Sequence, residues 1–544
     1  MYLYVEIRGR IVDVFRRKIF KGGIRVESGK IIEIREYNNV PDVFIIPGFV
    51  DAHIHVESSL LVPSEFAKMA VAQGCVACLC DPHEIANVIG IEGIEFLLEN
   101  AKRVNFKFYF GAPPCVPATI HEESGGKIGV EEIENLLRRE EIKFLSEVMD
   151  IEGVITRRED LMRKIEVARA LNKRIDGHAP GLRGEILKRY MASGVSTDHE
   201  VSEIDEGEEK IEKGMKVMIR YGSLSKDLER LLPLVKEHPE KCMLCSDDIG
   251  PDELGEDYLR PALKSVLRKN VDIFDAINFA CTNAVLHYGL DVGLLRVNDP
   301  GDFLIIDDFE NLRVLETYIN GVPVFSYGQT NIEGFTPERI NNFSASKKGI
   351  EDIRVVKKGE RIRVIEAKEK SLFTGSSIIT PKIEGNFVVS DTERDVLKVV
   401  LVNRYRKDER VAFGFVRGFG LKSGAIASSF SHDSHHLLAL GCDDSSIVEA
   451  LNLVIEERGG MVFVSKKKKE VLPLPVAGLM SDLEAREVGK RYKRLSQVLK
   501  DNGVSISHPF MLLSFLALPV IPELKITSKG LFDVKEQKVV DLFV

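Results

Sequence analysis

Apolar spacing changes character along the 544-residue chain. Residues 1–46 alternate short β-prone runs with turns: YLYVEIRG, IVDVF and GGIRVESGKIIEI. Gly22-Gly23 and Gly29-Lys30 read as hairpin turns in a small β unit. From Val43 the apolar runs become continuous: VFIIPGFV, CVACLC, FKFYFG, IKFLSEV, KRIDGH, GVSTDH, KVMIR and KCMLCS. Amphipathic stretches separate most of them. Ile91, Ile94, Leu98 and Ala101 share one helix face, as do Leu161, Ile165, Ala168 and Leu171, and Leu182, Ile186 and Tyr190. Continuous apolar strands alternating with helices predict a parallel sheet covered on both faces. About eight strand–helix units over roughly 250 residues is the arithmetic of a (β/α)8 TIM-like barrel. A doubly wound open sheet is the alternative, but no G-x-G-x-x-G follows the first strand.

After the last helical pattern, VDIFDAINFACTNAVLHYGL, the strand period returns in DFLIIDD, RVLETYING and VPVFSYG. These runs are expected to rejoin the N-terminal strands. The predicted organisation is a small β-sandwich from 1–46 with 300–330, a barrel over 47–299, a polar linker over 331–350 and a C-terminal α/β domain over 351–544. The four lysines from Lys466 read as a solvated hairpin tip rather than a polyanion site.

Composition narrows the class. So long a chain exceeds one ordinary core. It is 44% apolar and 29% charged, with a formal net charge of -9. That balance argues against a broad nucleic-acid footprint, which needs a basic face. No apolar run reaches the length of a membrane span. The N-terminus reads as strands rather than as a signal peptide, so a cytoplasmic protein is expected. Of eight cysteines, Cys75, Cys78, Cys80 and Cys242 sit in apolar runs, which predicts reduced thiols and no disulfide framework. Cys75, Cys78 and Cys80 share one strand with no second pair at finger spacing, so a structural zinc site is not expected.

The chemistry lies where the predicted strands end. Strand one ends in Asp51-Ala-His53-Ile-His55, strand two in Asp81-Pro-His83-Glu84 and strand four in Ser146-Glu147. Strand five ends in Gly177-His178, strand six in Thr197-Asp198-His199-Glu200 and strand eight in Ser246-Asp247-Asp248. Barrel enzymes carry their reactive groups at these ends. In H-x-H on a strand both side chains point the same way, about 7 Å apart at Cα, so two imidazoles can grip one ion. Any one of these histidines alone reads equally as a hydrogen-bonded loop residue. Glu147 within an apolar strand is harder to place blandly, because a buried carboxylate needs a partner or a cation. Asp247 after the apolar run CMLCS makes the same point more weakly.

IIPGFVDAHIH resembles the P-G-x-x-D-x-H-x-H opening of the amidohydrolase superfamily. The resemblance implies metal ligands at His53 and His55 on strand one, His178 on strand five, His199 on strand six and Asp247 on strand eight. Many binuclear members bridge their ions with a carboxylated lysine on strand four. This chain has Glu147 there, which resembles the adenine deaminase branch. DAHIHVESS, DPHEIANVIG, LSEVMD, GHAPG, TDHE and CSDD agree with that branch, as do GFGLKSGAIASSFSHDSHH and LPLPVAGLMSD.

The resemblance implies two divalent ions, Mn2+ or Fe2+, with Zn2+ compatible. One is held by His53, His55 and Asp247 and the other by His178 and His199, with Glu147 shared. It further implies hydroxide attack at C6 of adenine, with Asp247 moving the proton, to yield hypoxanthine and ammonia in adenine catabolism or purine salvage. A homo-oligomer, a dimer, is expected, with adenine as the small-molecule partner and neither nucleic acid nor membrane.

Three features stay open at this level. Asp81, His83 and Glu84 either contact substrate or an additional metal, or cap the following helix. Glu200 and Asp248 flank ligands and orient them. His432, Asp433 and His435, in SHDSHH, form either a polar loop or one that closes over the purine. The competing functions are a hydantoinase-type cyclic amide hydrolase and a non-catalytic metal-binding scaffold.

Overall fold

The N-terminal strands β1 (Tyr4–Asp13), β2 (Lys18–Glu27), β3 (Lys30–Glu36) and β4 (Phe44–Pro47) follow the short-period segment. The computed structural model describes residues 4–369, 371–407 and 410–544. Ser28 and Gly29, with φ of 50° and 82°, turn β2 into β3. The Gly22-Gly23 turn expected from sequence is not one, since both residues lie inside β2. A Cβ on Gly22 would stand 2.8 Å from Ile11 Cδ1 and 2.9 Å from the Arg35 carbonyl oxygen. These glycines serve close packing rather than chain reversal.

Then come the strands buried on both faces: β5 (Phe49–Ile54), β6 (Cys75–Cys80), β7 (Lys107–Ala112), β8 (Ile142–Val148), β9 (Arg174–Gly177), β10 (Thr197–Asp198), β11 (Lys216–Arg220) and β12 (Cys242–Cys245). β5 to β9 pair in parallel in chain order, and so do β10 to β12. Ser196 N–H donates to the Ile175 carbonyl at 3.0 Å, linking the end of β9's run to β10's. At the other side Asp247 N–H donates to His53 O at 2.9 Å, and His55 N–H to Asp247 O at 3.0 Å. The result is a curled parallel sheet.

Helices cover it much as the periodicity requires. Helix Glu159–Ala170 buries Leu161, Ile165 and Ala168. Helix Gly184–Ala192 departs from the expected face. Ile186 is 50% exposed, and Leu187 and Tyr190 point inward. Leu182 precedes the helix, so it cannot set the register.

The later strands β13 (Phe303–Ile306), β14 (Val314–Ile319), β15 (Val322–Ser326) and β16 (Gln329–Thr330) return to the N-terminal ones. They join in one sheet, in the order β16-β15-β14-β13-β4-β1-β2-β3. Ile11, Ile24, Val26, Ile31, Ile45, Phe303 and Tyr318 form its core.

By compactness the chain divides into two units. The first is Met1–Pro82, Phe96–Pro114 and Gly129–Phe335, and the second is His83–Glu95, Cys115–Ile128 and Thr336–Val544. The second unit centres on another eight-stranded sheet, whose middle strands are Val396–Val402, Leu437–Gly441, Ala425–Ser428 and Gly460–Val464. Helix Asp444–Glu457 packs Ile447, Ala450, Leu451 and Val454 onto it, and the Asp443 side chain accepts from Ser446 N–H at 2.9 Å to cap that helix. The run Lys466–Lys469 is exposed where Gly460–Val464 turns into Lys469–Pro473. All eight cysteines are unpaired thiols. Among the described residues no helix is long and apolar enough to cross a membrane.

Candidate metal centre

Strand alternation carries Asp51, His53 and His55 to one side of β5 and its extension. All three are buried. His53 Nε2 and His55 Nε2 stand 3.2 Å apart. The other nitrogen of His55, Nδ1, faces the Asp81 carbonyl oxygen at 3.2 Å. A carbonyl only accepts, so Nδ1 carries a proton and Nε2 is the atom turned to the site. Burial, reinforced by His199 and the neighbouring His55, pushes the pKa of His53 well below its ordinary value. Two imidazoles turned toward each other, with carboxylates beside them, make a place for a cation.

Glu147, on β8, reaches both halves of the site. Its Oε1 lies 3.4 Å from His55 Nε2. Its Oε2 lies 2.7 Å from His178 Nδ1 and 3.3 Å from His199 Nε2. Burial alone would raise its pKa, but His178 and His199 outweigh burial and hold it well below the usual carboxylate range.

Asp247 Oδ1 stands 3.3 Å from His55 Nε2 and 3.6 Å from His53 Nε2. Its backbone has φ of 61°, in the left-handed region, and is clamped by the two hydrogen bonds to β5 and its extension. Strand pairing thus fixes a conformation that a free aspartate seldom adopts.

A supporting layer sets these groups. Asp51 Oδ1 accepts from Ser246 N–H at 3.0 Å and His53 N–H at 3.3 Å. Its Oδ2 accepts the hydroxyls of Ser246 and Tyr258, each at 2.6 Å. Asp51 therefore ties the strand-one ligands to the Ser246-Asp247 segment. Arg220, at the end of β11, donates to Glu200 at 2.7 Å, Asp227 at 3.1 Å and Asp247 Oδ2 at 3.3 Å. Buried Lys210 donates to Asp198 Oδ2 at 2.8 Å, Glu206 at 2.6 Å and the Ala179 carbonyl at 2.7 Å, holding the segments after β9 and β10 together.

The structure therefore brings together His53, His55, Glu147, His178, His199 and Asp247. Glu200 Oε1 lies 3.7 Å from both His178 Nδ1 and His199 Nε2. Asp248 instead accepts from the Ser58 hydroxyl. Asp81 Oδ2 accepts from Glu147 N–H at 3.2 Å and so steadies β8. His83, Glu84, His432, Asp433 and His435 belong to the second unit and cluster there. Asp51 was named from sequence only as part of the strand-one end, with no role given, and Arg220 was absent from the residues singled out there. Arg220 ends KVMIR just as the ligands end their own runs, and that position was its only signal. The donors are nitrogen and oxygen without thiolate, and several triads of them, His53–His55–Asp247 and His178–His199–Glu200 among them, fall within 4.8 Å of one another. This set suits a borderline or hard divalent ion.

Comparison with known proteins gives the same picture over a longer span. Residues 44–362 match the amidohydrolase family, and residues 371–538 match the adenine deaminase C-terminal domain. A protein of Sulfurovum sp. named adenine deaminase is 48% identical over 530 residues, 97% of this chain and 98% of that protein. Those of Salinibacter ruber and Methanosarcina mazei, named likewise, are 45% and 47% identical, covering 99% and 98% of this chain and 99% of each protein. With both segments matched and the likeness running end to end, the chain belongs to the amidohydrolase family and, within it, to the adenine deaminases.

Proposed function

We propose that the chain hydrolyses adenine to hypoxanthine and ammonia at a two-metal site at one end of a (β/α)8 barrel. The observation that carries this reading is Glu147, whose two oxygens address two different sets of imidazoles. His53, His55 and Asp247 would hold one ion and His178 and His199 the other, with Glu147 shared. Mn2+ or Fe2+ suits these donors, and Zn2+ is compatible. Bound there, such ions supply hydroxide from water at neutral pH.

The protein's own groups do the rest. Asp247 is the base and then the acid. Burial would raise its pKa, but His55, His199 and Arg220 outweigh it and keep the carboxylate ionised, the form a base needs. It returns that proton toward the purine nitrogen or the departing amine. Arg220 holds its second oxygen and prevents rotation. Glu200, fixed by Arg220, faces His178 and His199 and keeps their rings oriented. Adenine plus water yields hypoxanthine plus ammonia, with no further reactant.

A hydantoinase-type reading is disfavoured by Glu147 standing where a carboxylated lysine would bridge. A non-catalytic scaffold would be expected to have lost a ligand, and all six are present. The test is ammonia release from adenine, adenosine, cytosine and dihydrouracil by protein loaded with Mn2+ or Fe2+. Release from adenine alone is expected. A metal-loaded protein inert toward adenine overturns the proposal.

A further inference from the structure

The second unit holds another set of nitrogen and oxygen donors, which the proposed reaction does not use. Helix His83–Ile89 supplies His83 and Glu84. The loop between strands Ala425–Ser428 and Leu437–Gly441 supplies His432, Asp433 and His435. None of the five is more than 3% exposed. His432 Nδ1 lies 2.5 Å from Glu84 Oε1 and 3.7 Å from Asp433 Oδ1. His83 Nε2 lies 3.6 Å from Glu84 Oε1 and 3.8 Å from Asp433 Oδ1. Two imidazoles and two carboxylates thus face one another around a ring. Around a first-row ion with bonds of about 2.1 Å, neighbouring ligand atoms stand roughly 3.0 to 3.4 Å apart, which these spacings bracket.

His435 has a different part. Its Nδ1 accepts from Ser431 N–H at 3.2 Å, so its proton sits on Nε2 and is donated to Glu84 Oε2. A donor on the far oxygen of a ligating carboxylate fixes the orientation of that ligand.

The charge balance points the same way. Every ion-pair partner of Glu84 and Asp433 among the described residues is an imidazole. Asp433 Oδ2 is buried without a hydrogen-bond partner. The buried guanidinium of Arg404 donates to the carbonyls of Ser429, His435 and Ala477 and to Asn341, not to these carboxylates. Two buried carboxylates that meet imidazoles and neither lysine nor arginine suit one divalent cation.

We propose that the second unit binds one divalent first-row metal ion through His83 Nε2, Glu84 Oε1, His432 Nδ1 and Asp433 Oδ1, with His435 orienting Glu84. The ion ties the first turn of helix His83–Ile89 to the loop after Ala425–Ser428, and its binding free energy adds to folding.

The test uses the full chain stripped of metal and titrated with Mn2+ alone, with bound ions counted per chain. Asp433→Asn, alone and with His432→Ala, is expected to lower the count by one relative to wild type. In a Glu147→Gln, His178→Ala background one Mn2+ should still bind, and adding Asp433→Asn should remove it. Circular-dichroism melts in excess Mn2+ report folding, and should show Mn2+ raising the melting temperature of the Glu147→Gln, His178→Ala protein. Equal counts with and without Asp433→Asn and His432→Ala, or a Glu147→Gln, His178→Ala protein that binds no Mn2+, overturn the proposal. Neither readout depends on adenine turnover, so failure here leaves the deaminase reading untouched.

Discussion

Replacing Glu147 by glutamine removes one negative charge with almost no change of shape. In the protein that charge faces His55 at 3.4 Å through Oε1, and His178 and His199 at 2.7 and 3.3 Å through Oε2. A glutamine has one acceptor oxygen, so whichever way it turns, one side of the site meets an NH2 group. Two unit charges about 3.5 Å apart interact by roughly 5 kcal/mol at an effective dielectric of about 20. That is more than a thousandfold in affinity for each positive charge served, and the amide oxygen recovers part of it on one side only. The expected result is at least one ion fewer per chain than wild type at micromolar free metal, with deamination falling by about a thousandfold or more. Metal is counted after equilibrium dialysis, and ammonia release from adenine is followed in parallel. An ion count equal to wild type, with undiminished affinity and full rate, would refute the shared-ligand assignment. A wild-type ion count with the rate lost would instead make Glu147 a proton-transfer group.

Asp51→Asn should lower stability by about 1–3 kcal/mol, because an amide cannot accept from both hydroxyls and both backbone N–H groups. It should also weaken metal binding roughly tenfold to a hundredfold; an unchanged thermal melt together with unchanged metal affinity would show that it does not tie His53 to Ser246. Arg220→Met leaves Glu200, Asp227 and Asp247 buried without their shared cation, at an expected cost of about 3–5 kcal/mol. Urea unfolding measures that loss, and a variant as stable as wild type would refute the clamp. Lys525 is fully buried, with Nζ donating to the Leu372 and Phe515 carbonyls at 3.0 and 2.9 Å, and burial pushes its ammonium from 10.5 down to about 7. Between those values the unfolded chain holds a proton the folded chain has released, so the penalty is full below pH 7 and fades as pH rises toward 10.5. Wild type should therefore gain on Lys525→Met by up to about 1.4 kcal/mol per pH unit across that window. A stability difference independent of pH would refute it.

Sequence alone reveals the strands of the curled sheet because both their faces are covered. Eight apolar runs have no polar alternation to confuse with an exposed strand. It reveals the candidate ligands for a related reason, since a histidine or carboxylate ending such a run stands out against its apolar neighbours. Other features are hidden for definite physical causes. Gly22-Gly23 carries the signature of a turn, yet the same lack of Cβ lets β2 pass close to Ile11, and composition cannot separate the two uses. Ile186 sits at helical spacing from Tyr190, but the helix starts at Gly184 and takes its inner face from Leu187 instead. Arg220 joins Glu200, Asp227 and Asp247, partners up to 27 positions away, and no local pattern marks such a clamp. Glu84 and His435 are 351 positions apart, so each was legible as a polar residue of interest but their meeting was not.

The adjacent aspartates Asp247 and Asp248 show where local reasoning stops. Alternation along a strand would send one to the site and the other to the opposite face, and the run CMLCSDD does not say which, because the strand ends at Cys245. The left-handed backbone at Asp247 breaks the alternation there. That conformation is held by backbone hydrogen bonds to His53 and His55, so β5 and its extension select which aspartate turns toward these histidines. Asp247 reaches His55 and Arg220, while Asp248 takes the Ser58 hydroxyl. The choice of acid is thus made by pairing between the first and last strands, an interaction across almost 200 residues of chain.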